Sequence, residues 1–263
     1  MVFPDPIRFN HMRRIPGVTH GIFPRTGGIS NGPCAGLNIG LNCGDREGDV
    51  IRNRQMMLES TGCTSALFLN QMHGSDILVL KKGMDAAPYL WDPNTGKTPC
   101  PAVADGVVTD IPDIALVIQA ADCQSILLLD PVRRVIAGVH SGWRGSVANI
   151  IGKCVETMVR EFSCSSRNIL AGISPSLGPC CAEFINYRSE LPETFRPYKI
   201  SDRPFFDFWK ISADQLNEQG VKKDHIEQTG VCTACNTDRF FSYRREKATG
   251  RFGTLIALTR ETI

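Results

Sequence analysis

A cysteine and a histidine on the two arms of an apolar hairpin are the residues of this chain best placed to do chemistry. Two apolar runs, 114–129 and 135–140, are separated by a turn that begins DPVR, in which proline presets φ and aspartate caps its own backbone, so the pattern predicts a β-hairpin. A turn symmetric about the Pro-Val pair places Cys123 directly opposite His140. Opposed side chains have Cβ atoms roughly 4.5 to 5.5 Å apart, and a tetrahedral zinc ion separates two ligand atoms by roughly 3.6 Å. The predicted register therefore suits a shared metal, and it also suits a Cys/His nucleophile pair.

Further histidines and cysteines lie outside this hairpin. His73 follows a predicted strand over 66–70 and stands beside a glycine, at the kind of strand end that often carries site residues. The sequence CTAC places Cys232 and Cys235 in one CxxC motif without a second such pair, which disfavours a zinc ribbon and leaves a redox pair or two structural thiols. The total of eleven cysteines is odd and their spacing irregular, so most are expected to be reduced, buried thiols.

Two predicted helices would carry cations toward a site. Asp49 has the position of an N-cap, and the apolar residues after it recur at a spacing that puts Arg54 on the core-facing side, where an arginine is unusual without a polar or anionic partner. A second helix is predicted from a cap at Ser146 to residue 162, because apolar residues recur there at helical spacing. It follows the glycine-bounded turn of HSGWRG, where Arg144 suggests an anion or polar-ligand site; simple strand-to-helix packing is the alternative.

The composition of the chain limits the classes of molecule that it is expected to bind. The net charge of +2 argues against a nucleic-acid or membrane footprint, which would need a basic surplus, and favours small-molecule or protein partners. No run approaches the roughly 18 apolar residues of a membrane span, and the first residues lack the apolar segment of a signal peptide, so a cytoplasmic protein is expected. A length of 263 residues allows one large domain or two small ones.

The motifs HGIFPRTGGISNGPCAGLNIG, CGDREGDVIRNR, QMHG, ADGVVTD, AADC, GVHSGWRG, GPCC and FFSYRREKATGRFG follow one another over 19–258. In this order and spacing they resemble the YfiH/PgeF family, also called the polyphenol oxidase or laccase-domain proteins. The resemblance implies a single domain over 1–263, folded as a four-layer α/β/β/α sandwich with mixed sheets. It also implies one zinc ion bound by His73, Cys123 and His140.

The function implied by the resemblance is that of a zinc-dependent purine nucleoside enzyme. The reactions would be phosphorolysis of adenosine, inosine and methylthioadenosine, and hydrolytic deamination of adenosine. Three protein ligands leave a fourth position for water, whose pKa zinc lowers to about 7. Asn38 and Arg54 match family positions near the nucleoside, and Arg54 and Arg144 are the candidates for holding phosphate. Arg54 and Asp122 are the catalytic candidates, although Asp122 should point to the other strand face and a structural role is the stronger interpretation.

Three alternatives stay open. A peptidoglycan-editing enzyme acting on cell-wall precursors could use a metal-free Cys123/His140 dyad, as in a toxin deamidase of similar fold, and such a dyad has no need of His73. A non-enzymatic module with a closed zinc site would need a fourth protein ligand, and the available cysteines are Cys180, Cys181, Cys232 and Cys235. Laccase activity is disfavoured, because five histidines without an HxH pair cannot build a multicopper cluster; copper would bind only adventitiously.

Overall fold

Two mixed β-sheets form the centre of the protein, which a computed structural model describes for residues 5–200 and 202–259. Residues 1–4, 201 and 260–263 of the expected domain lie outside the described residues. The five-stranded sheet has the order β1-β13-β6-β2-β4, the six-stranded sheet has the order β12-β9-β7-β8-β5-β3, and β10 pairs with β11. The strands are β1 Val18–Phe23, β2 Ala66–Phe68, β3 Ile77–Leu80, β4 Leu90–Trp91, β5 Gly106–Thr109, β6 Ala115–Ala120, β7 Gln124–Asp130, β8 Val135–Ser141, β9 Leu170–Ile173, β10 Lys199–Ile200, β11 Phe205–Phe206, β12 Ile226–Gln228 and β13 Phe252–Leu258.

Helices cover both outer faces of the paired sheets. The α-helices are α1 Asn10–Arg13, α2 Glu47–Glu59, α3 Trp143–Val147, α4 Ile150–Phe162, α5 Tyr187–Glu190, α6 Phe208–Glu218 and α7 Tyr243–Glu246. Met57 of α2 packs with Val117 on the five-stranded sheet, and Val155 of α4 packs with Ile126 on the six-stranded sheet. The largest apolar cluster lies between the two sheets. The predicted four-layer α/β/β/α sandwich is therefore confirmed.

None of the helices within residues 5–200 and 202–259 is both long enough and apolar enough to span a bilayer.

The hairpin of β7 and β8 is present, but its register differs from the predicted one by two residues. Ser125, and not Cys123, pairs with His140, because the turn contains the four residues 131–134. Two N–H groups in this turn donate to the carboxylate of Asp130, as the sequence suggested. A shift of two residues keeps every side chain on its predicted face, so Cys123 stays on the His140 side although it lies just before β7.

The apolar run 114–129 is two strands in two different sheets. β6 ends at Ala120 in the five-stranded sheet and β7 begins at Gln124 in the six-stranded sheet, so residues 121–123 cross between them. Asp122 turns the chain there with a φ of +88°. Both strands are buried on both faces, which makes the sequence read as one continuous apolar run. The crossing places Cys123 at the junction of the two sheets.

Both predicted helix caps were wrong. α2 begins at Glu47 after Arg46, so Asp49 lies in its first turn, where the interaction of a carboxylate with the helix dipole stabilises the helix. Ser146 lies inside α3, and the predicted long helix is broken at Asn149, which adopts the left-handed conformation with a φ of +52°. The side chain of Asn149 accepts a hydrogen bond from the Gly152 N–H and is the actual cap of α4.

Two other segments differ from what their composition indicates. Residues 240–244 have the composition of a strand, but they lead into α7, which Ser242 caps by accepting a hydrogen bond from the Arg245 N–H. Residues 81–101 are rich in proline, glycine, lysine and aspartate, as in an exposed loop, but they contain β4, which pairs with β2 and buries Trp91.

Candidate metal centre and cavity

Three potential metal ligands meet where the two sheets adjoin. His73 follows β2, Cys123 ends the crossing between the sheets and His140 lies in β8. Their ligand atoms are all within 4.8 Å of one another. The two imidazole rings pack edge to face with centroids 4.8 Å apart. His140 is buried, Cys123 half-buried and His73 exposed, so the cluster is open to solvent on the His73 side.

A glycine allows this close approach. A Cβ atom on Gly142 would lie 2.9 Å from Cδ2 of His73 and 3.1 Å from Sγ of Cys123. Any other residue at this position of the HSGWRG motif would therefore push the ligands apart. His73 itself has a φ of +60°, a conformation that costs energy for a non-glycine residue and must be held by its surroundings.

Asp105 provides that support. Its Oδ1 accepts hydrogen bonds from Nδ1 of His140 at 2.8 Å and from the backbone N–H of His73 at 2.9 Å. Its Oδ2 accepts from the N–H groups of Met72 and Gly74 at 3.1 and 2.6 Å. Since Nδ1 of His140 is occupied, Nε2 is left for a metal, and the same carboxylate fixes the turn that carries the second imidazole.

The charges of the ligands are strongly coupled in the protein without metal. Burial raises the pKa of the Cys123 thiol, but His140 and, to a smaller extent, His73 outweigh burial through charge and hydrogen bonding and lower it to about 6. Burial lowers the pKa of His140, while the Cys123 thiolate and the Asp105 carboxylate together raise it to about 9. A thiolate and two imidazoles are a donor set that fits zinc, so the residues present suit the expected ion.

A cavity of about 1170 Å³ opens beside this cluster. One wall is aromatic, with Phe184 packed against Trp143 and Phe208 at ring-centroid distances of 6.3 and 5.0 Å. Three arginines line the cavity: Arg54, Arg244 and Arg251. Four carboxylates also line it: Glu47, Asp122, Glu183 and Glu190. The cavity is therefore large and partly apolar, and its arginines offer cationic groups to an anionic or phosphate-bearing ligand.

Arg54 is the most unusual of these arginines, because it is only 3% exposed. Its Nε donates to the Ile39 carbonyl at 2.9 Å and its guanidinium lies 3.8 Å from the centre of the Phe68 ring. Among residues 5–200 and 202–259, its Nη atoms meet no carboxylate or other acceptor. Burial lowers the pKa of Arg54 to about 9. An anion in the cavity would satisfy this charge.

Arg251 reaches the same side of the cavity. A Cβ atom on Gly40 would lie 2.7 Å from Cγ of Arg251 and 2.8 Å from Sγ of Cys43, and the preceding residue, Ile39, accepts the hydrogen bond from Arg54. Burial raises the pKa of the Cys43 thiol, and the charges of Arg251 and Arg54 oppose that rise. Nη1 of Arg251 donates to the carbonyls of Thr249 and Gly250, which fixes its direction.

Asn38 and Arg144, predicted to bind substrate, do not line the cavity. Asn38 is fully buried and its amide bonds to Gly40, Asp45 and the Arg251 N–H, so it orders the loop that carries cavity residues. Arg144 is exposed and lies 4.3 Å from the ring centre of Trp143. The structure thus brings together Arg54 and the three metal ligands, and leaves these two outside.

Asp122 lines the cavity, but its carboxylate is fully engaged. Oδ1 accepts from Thr233 Oγ1 at 2.6 Å and from Ser242 Oγ at 2.7 Å, and Oδ2 accepts from the Arg244 N–H at 2.5 Å. These bonds tie the segment carrying Cys123 to the chain after β12. They agree with a positioning role, because both oxygens of the carboxylate already accept hydrogen bonds.

Asp105 and Arg251 are not among the predicted site residues. Asp105 lies in the ADGVVTD motif, immediately before the buried strand β5, and a carboxylate in that position was the available signal. Arg251 lies in the GRFG sequence before β13. Nothing local marks it, because its approach to Arg54 depends on the pairing of distant strands.

A family model described as multi-copper polyphenol oxidoreductase laccase matches residues 19–259. The chain belongs to this family. Purine nucleoside phosphorylase YlmD of Geobacillus stearothermophilus is 30% identical over 262 residues, covering 93% of this chain and 92% of the relative. Purine nucleoside phosphorylase YfiH of Escherichia coli is 30% identical over 244 residues, covering 89% and 91%. The crystal structure of the Geobacillus protein superposes with a TM-score of 0.83 over 94% of this chain and 93% of that one.

These matches confirm the predicted YfiH family. The family description also names a laccase, and whether a copper cluster of that kind could form depends on where the histidines of this chain lie. His11 bonds to Glu227, His20 accepts from the Phe9 N–H and His225 lies against the Ile169 carbonyl. Within the described ranges, only His73 and His140 therefore share a cluster of potential metal ligands. Several copper ions would need more imidazoles than these two.

Proposed function

We propose that the protein is a zinc-dependent purine nucleoside phosphorylase, which uses phosphate to displace the purine base from C1′ of a nucleoside. The observation that carries the proposal is that one cavity contains both a three-residue metal-ligand set and the buried, unneutralised guanidinium of Arg54. The names of the Geobacillus and Escherichia relatives support the same reaction. We place it in the cytoplasm, with no nucleic-acid or membrane partner.

His73, Cys123 and His140 would hold the zinc ion. When bound, a zinc ion with three protein ligands keeps a fourth position open and acts as a Lewis acid toward a substrate oxygen. The chain prepares this site through Asp105, which keeps His140 in one tautomer and holds the His73 turn.

Arg54 would bind the phosphate. Its guanidinium is fixed by the Ile39 carbonyl and the Phe68 ring, so the Nη atoms are preorganised for a bidentate contact with a phosphate oxygen pair. Arg251 adds positive charge on the same side. Two cations are useful here, because displacement at C1′ passes through an oxocarbenium-like sugar that a bound, oriented anion stabilises and attacks.

The aromatic wall would bind the base. Trp143, Phe184 and Phe208 form a contiguous group of rings along the cavity, and a purine has a large π-face that stacks on such rings. Adenosine, inosine and methylthioadenosine could all bind in this way, because the aromatic side chains contact the face of the purine ring and not its substituents.

Deamination of adenosine is a second proposed reaction of the same centre, but the structure favours phosphorolysis. A zinc deaminase needs a carboxyl group that transfers protons beside the metal. The two carboxylates bonded to the ligand-bearing segments, Asp105 and Asp122, already accept hydrogen bonds on both oxygens.

The test is to incubate zinc-loaded protein with adenosine, inosine and methylthioadenosine, with and without phosphate. We expect free base to be released only with phosphate present. Ammonia release from adenosine without phosphate would show the deaminase reaction. Absence of turnover with all three substrates, at full zinc occupancy, would contradict the proposal.

A specific geometry supports one alternative. His140 bonds to Asp105 through Nδ1, and the ligand atoms of His140 and Cys123 lie within 4.8 Å of each other, which is the arrangement of a Cys-His-Asp hydrolase triad. Such an enzyme could act on cell-wall precursors without metal. His73 separates the two functions, because the triad does not use it. Full hydrolytic activity on a cell-wall peptide of a His73→Ala variant that has lost the metal of this cavity would favour the triad.

A further inference from the structure

Four cysteines form a second cluster that is separate from the cavity ligands. Cys180 and Cys181 lie in the turn after β9, and Cys232 precedes and Cys235 ends the short helical turn of the CTAC sequence after β12. The four Sγ atoms are all within 4.8 Å of one another. Sγ of Cys235 is 3.6 Å from that of Cys180 and 3.5 Å from that of Cys181.

We propose that this cluster is a structural zinc site with four thiolate ligands. A tetrahedral zinc ion with Zn–S bonds near 2.3 Å separates its sulfur atoms by about 3.8 Å, close to the separations found here. The sequence seemed to lack a partner for the CxxC pair, because the second pair consists of two adjacent cysteines about fifty residues earlier. Four protein ligands close the site, so its role is to hold structure and not to bind substrate.

Backbone contacts already bring the two cysteine pairs into position. The Gly178 N–H donates to Sγ of Cys232 at 3.2 Å, and the Thr233 N–H donates to the Ser176 carbonyl at 3.0 Å. A Cβ on Gly178 would lie 2.8 Å from Cβ of Cys232 and 3.0 Å from the Trp209 ring, so a glycine is needed for this approach. The N–H···S bond favours a thiolate, as metal ligation requires.

The cysteine cluster stabilises one wall of the cavity. The turn with Cys181 continues into Glu183 and Phe184, which line the cavity. Arg244, another lining residue, donates through Nη1 to the carbonyls of Cys181 and Glu183. Asp122, next to the ligand Cys123, bonds to Thr233 within the CTAC sequence. A zinc ion here would therefore fix the wall that faces the substrate without touching it.

Zinc stoichiometry of purified protein tests this inference. We expect two zinc ions per wild-type chain and one in each of Cys235→Ser and His73→Ala. Cys100→Ser, which changes an exposed cysteine outside the cluster, is the matched control and should keep two. One zinc in wild type that Cys235→Ser retains, or a disulfide between Cys235 and Cys180 or Cys181 in protein purified under reducing conditions, would overturn the inference.

X-ray absorption at the zinc edge gives a second measurement that does not require a cysteine variant to fold. In His73→Ala the remaining zinc should show four sulfur neighbours at about 2.3 Å. A first shell containing nitrogen or oxygen would contradict the tetrathiolate site. Because each variant removes one centre only, failure here is distinguishable from failure of the proposed function.

Discussion

At the scale of single residues, one cationic side chain is buried, where a charge is energetically unfavourable. Arg54 is buried, stacked on an aromatic ring and without a carboxylate partner among the described residues. Burying such a charge is unfavourable unless it is paired, so the residue is expected to serve binding more than stability.

Replacing Arg54 by glutamine should weaken phosphate binding. A charge-assisted hydrogen bond contributes roughly 1.5 to 3 kcal/mol, so the KM for phosphate should rise at least about tenfold, with a smaller change in the KM for inosine. Initial rates at varied phosphate measure this. Arg160→Gln, an exposed arginine on α4, is the control. An unchanged KM for phosphate in Arg54→Gln would exclude Arg54 as the phosphate ligand.

Site residues could be predicted where the local sequence contains the pattern that positions them. The turn at Asp130 and the alternation of the hairpin brought Cys123 and His140 to one face, and even a register error of two residues did not change that face. Arg54 was noticed because an arginine on an apolar helix face is an anomaly. Asp105 needs the pairing of β5 with β8 to reach His140, and no local pattern contains that information.

At the scale of elements, one asparagine separates two helices. Asn149 combines a left-handed backbone with a side chain that caps α4. The apolar spacing that predicted one continuous helix depends only on which side chains are apolar. A single left-handed residue between two helices does not change that spacing, so the break could not be predicted from it. The helix before the break, α3, begins with Trp143, which contributes to the aromatic wall of the cavity.

Asn149→Ala should lower the free energy of unfolding by about 2 kcal/mol, because it loses the cap and forces alanine into the left-handed region. Asn149→Gly loses the cap but not the backbone fit, so its loss should stay below about 1 kcal/mol. Urea denaturation of both variants measures the difference. Equal stability of the two variants would mean that the left-handed turn is not what limits this position.

At the scale of the whole molecule, strands that are far apart in the sequence pair with each other. β1 pairs with β13, and the layers meet in a core that draws on both sheets. Composition and length left one or two domains open, because apolar content does not say which strands pair. The layer order came from the family motifs, whereas local strands such as β2 and the β7–β8 hairpin could be predicted from their apolar runs.

His20 makes the stability of this fold depend on pH. Its imidazole is buried in β1 and Nε2 accepts a hydrogen bond from the Phe9 N–H, so the folded protein needs the neutral form. Burial, with smaller contributions from the charges of Arg8 and His11 and an opposing one from Glu227, lowers its pKa from 6.5 to about 4. The unfolded chain therefore takes up this proton first as the pH falls.

The contribution of His20 is complete above pH 6.5 and is lost as the pH falls toward 4. The loss should reach about 3 kcal/mol near pH 4 and none should occur above pH 7. His20→Gln, which keeps an acceptor but does not titrate, should show a correspondingly smaller decline in urea denaturation between these pH values. An identical decline in both proteins would assign the pH dependence to other groups.

The most direct test of the central claim is the formation of ribose 1-phosphate from inosine and phosphate, followed by phosphorus NMR, in zinc-loaded wild type and His73→Ala. Wild type should form ribose 1-phosphate, whereas His73→Ala, which has lost the cavity zinc but keeps its folded state by circular dichroism, should not. Formation at the wild-type rate by His73→Ala, or none by the zinc-loaded wild type, would contradict the central claim.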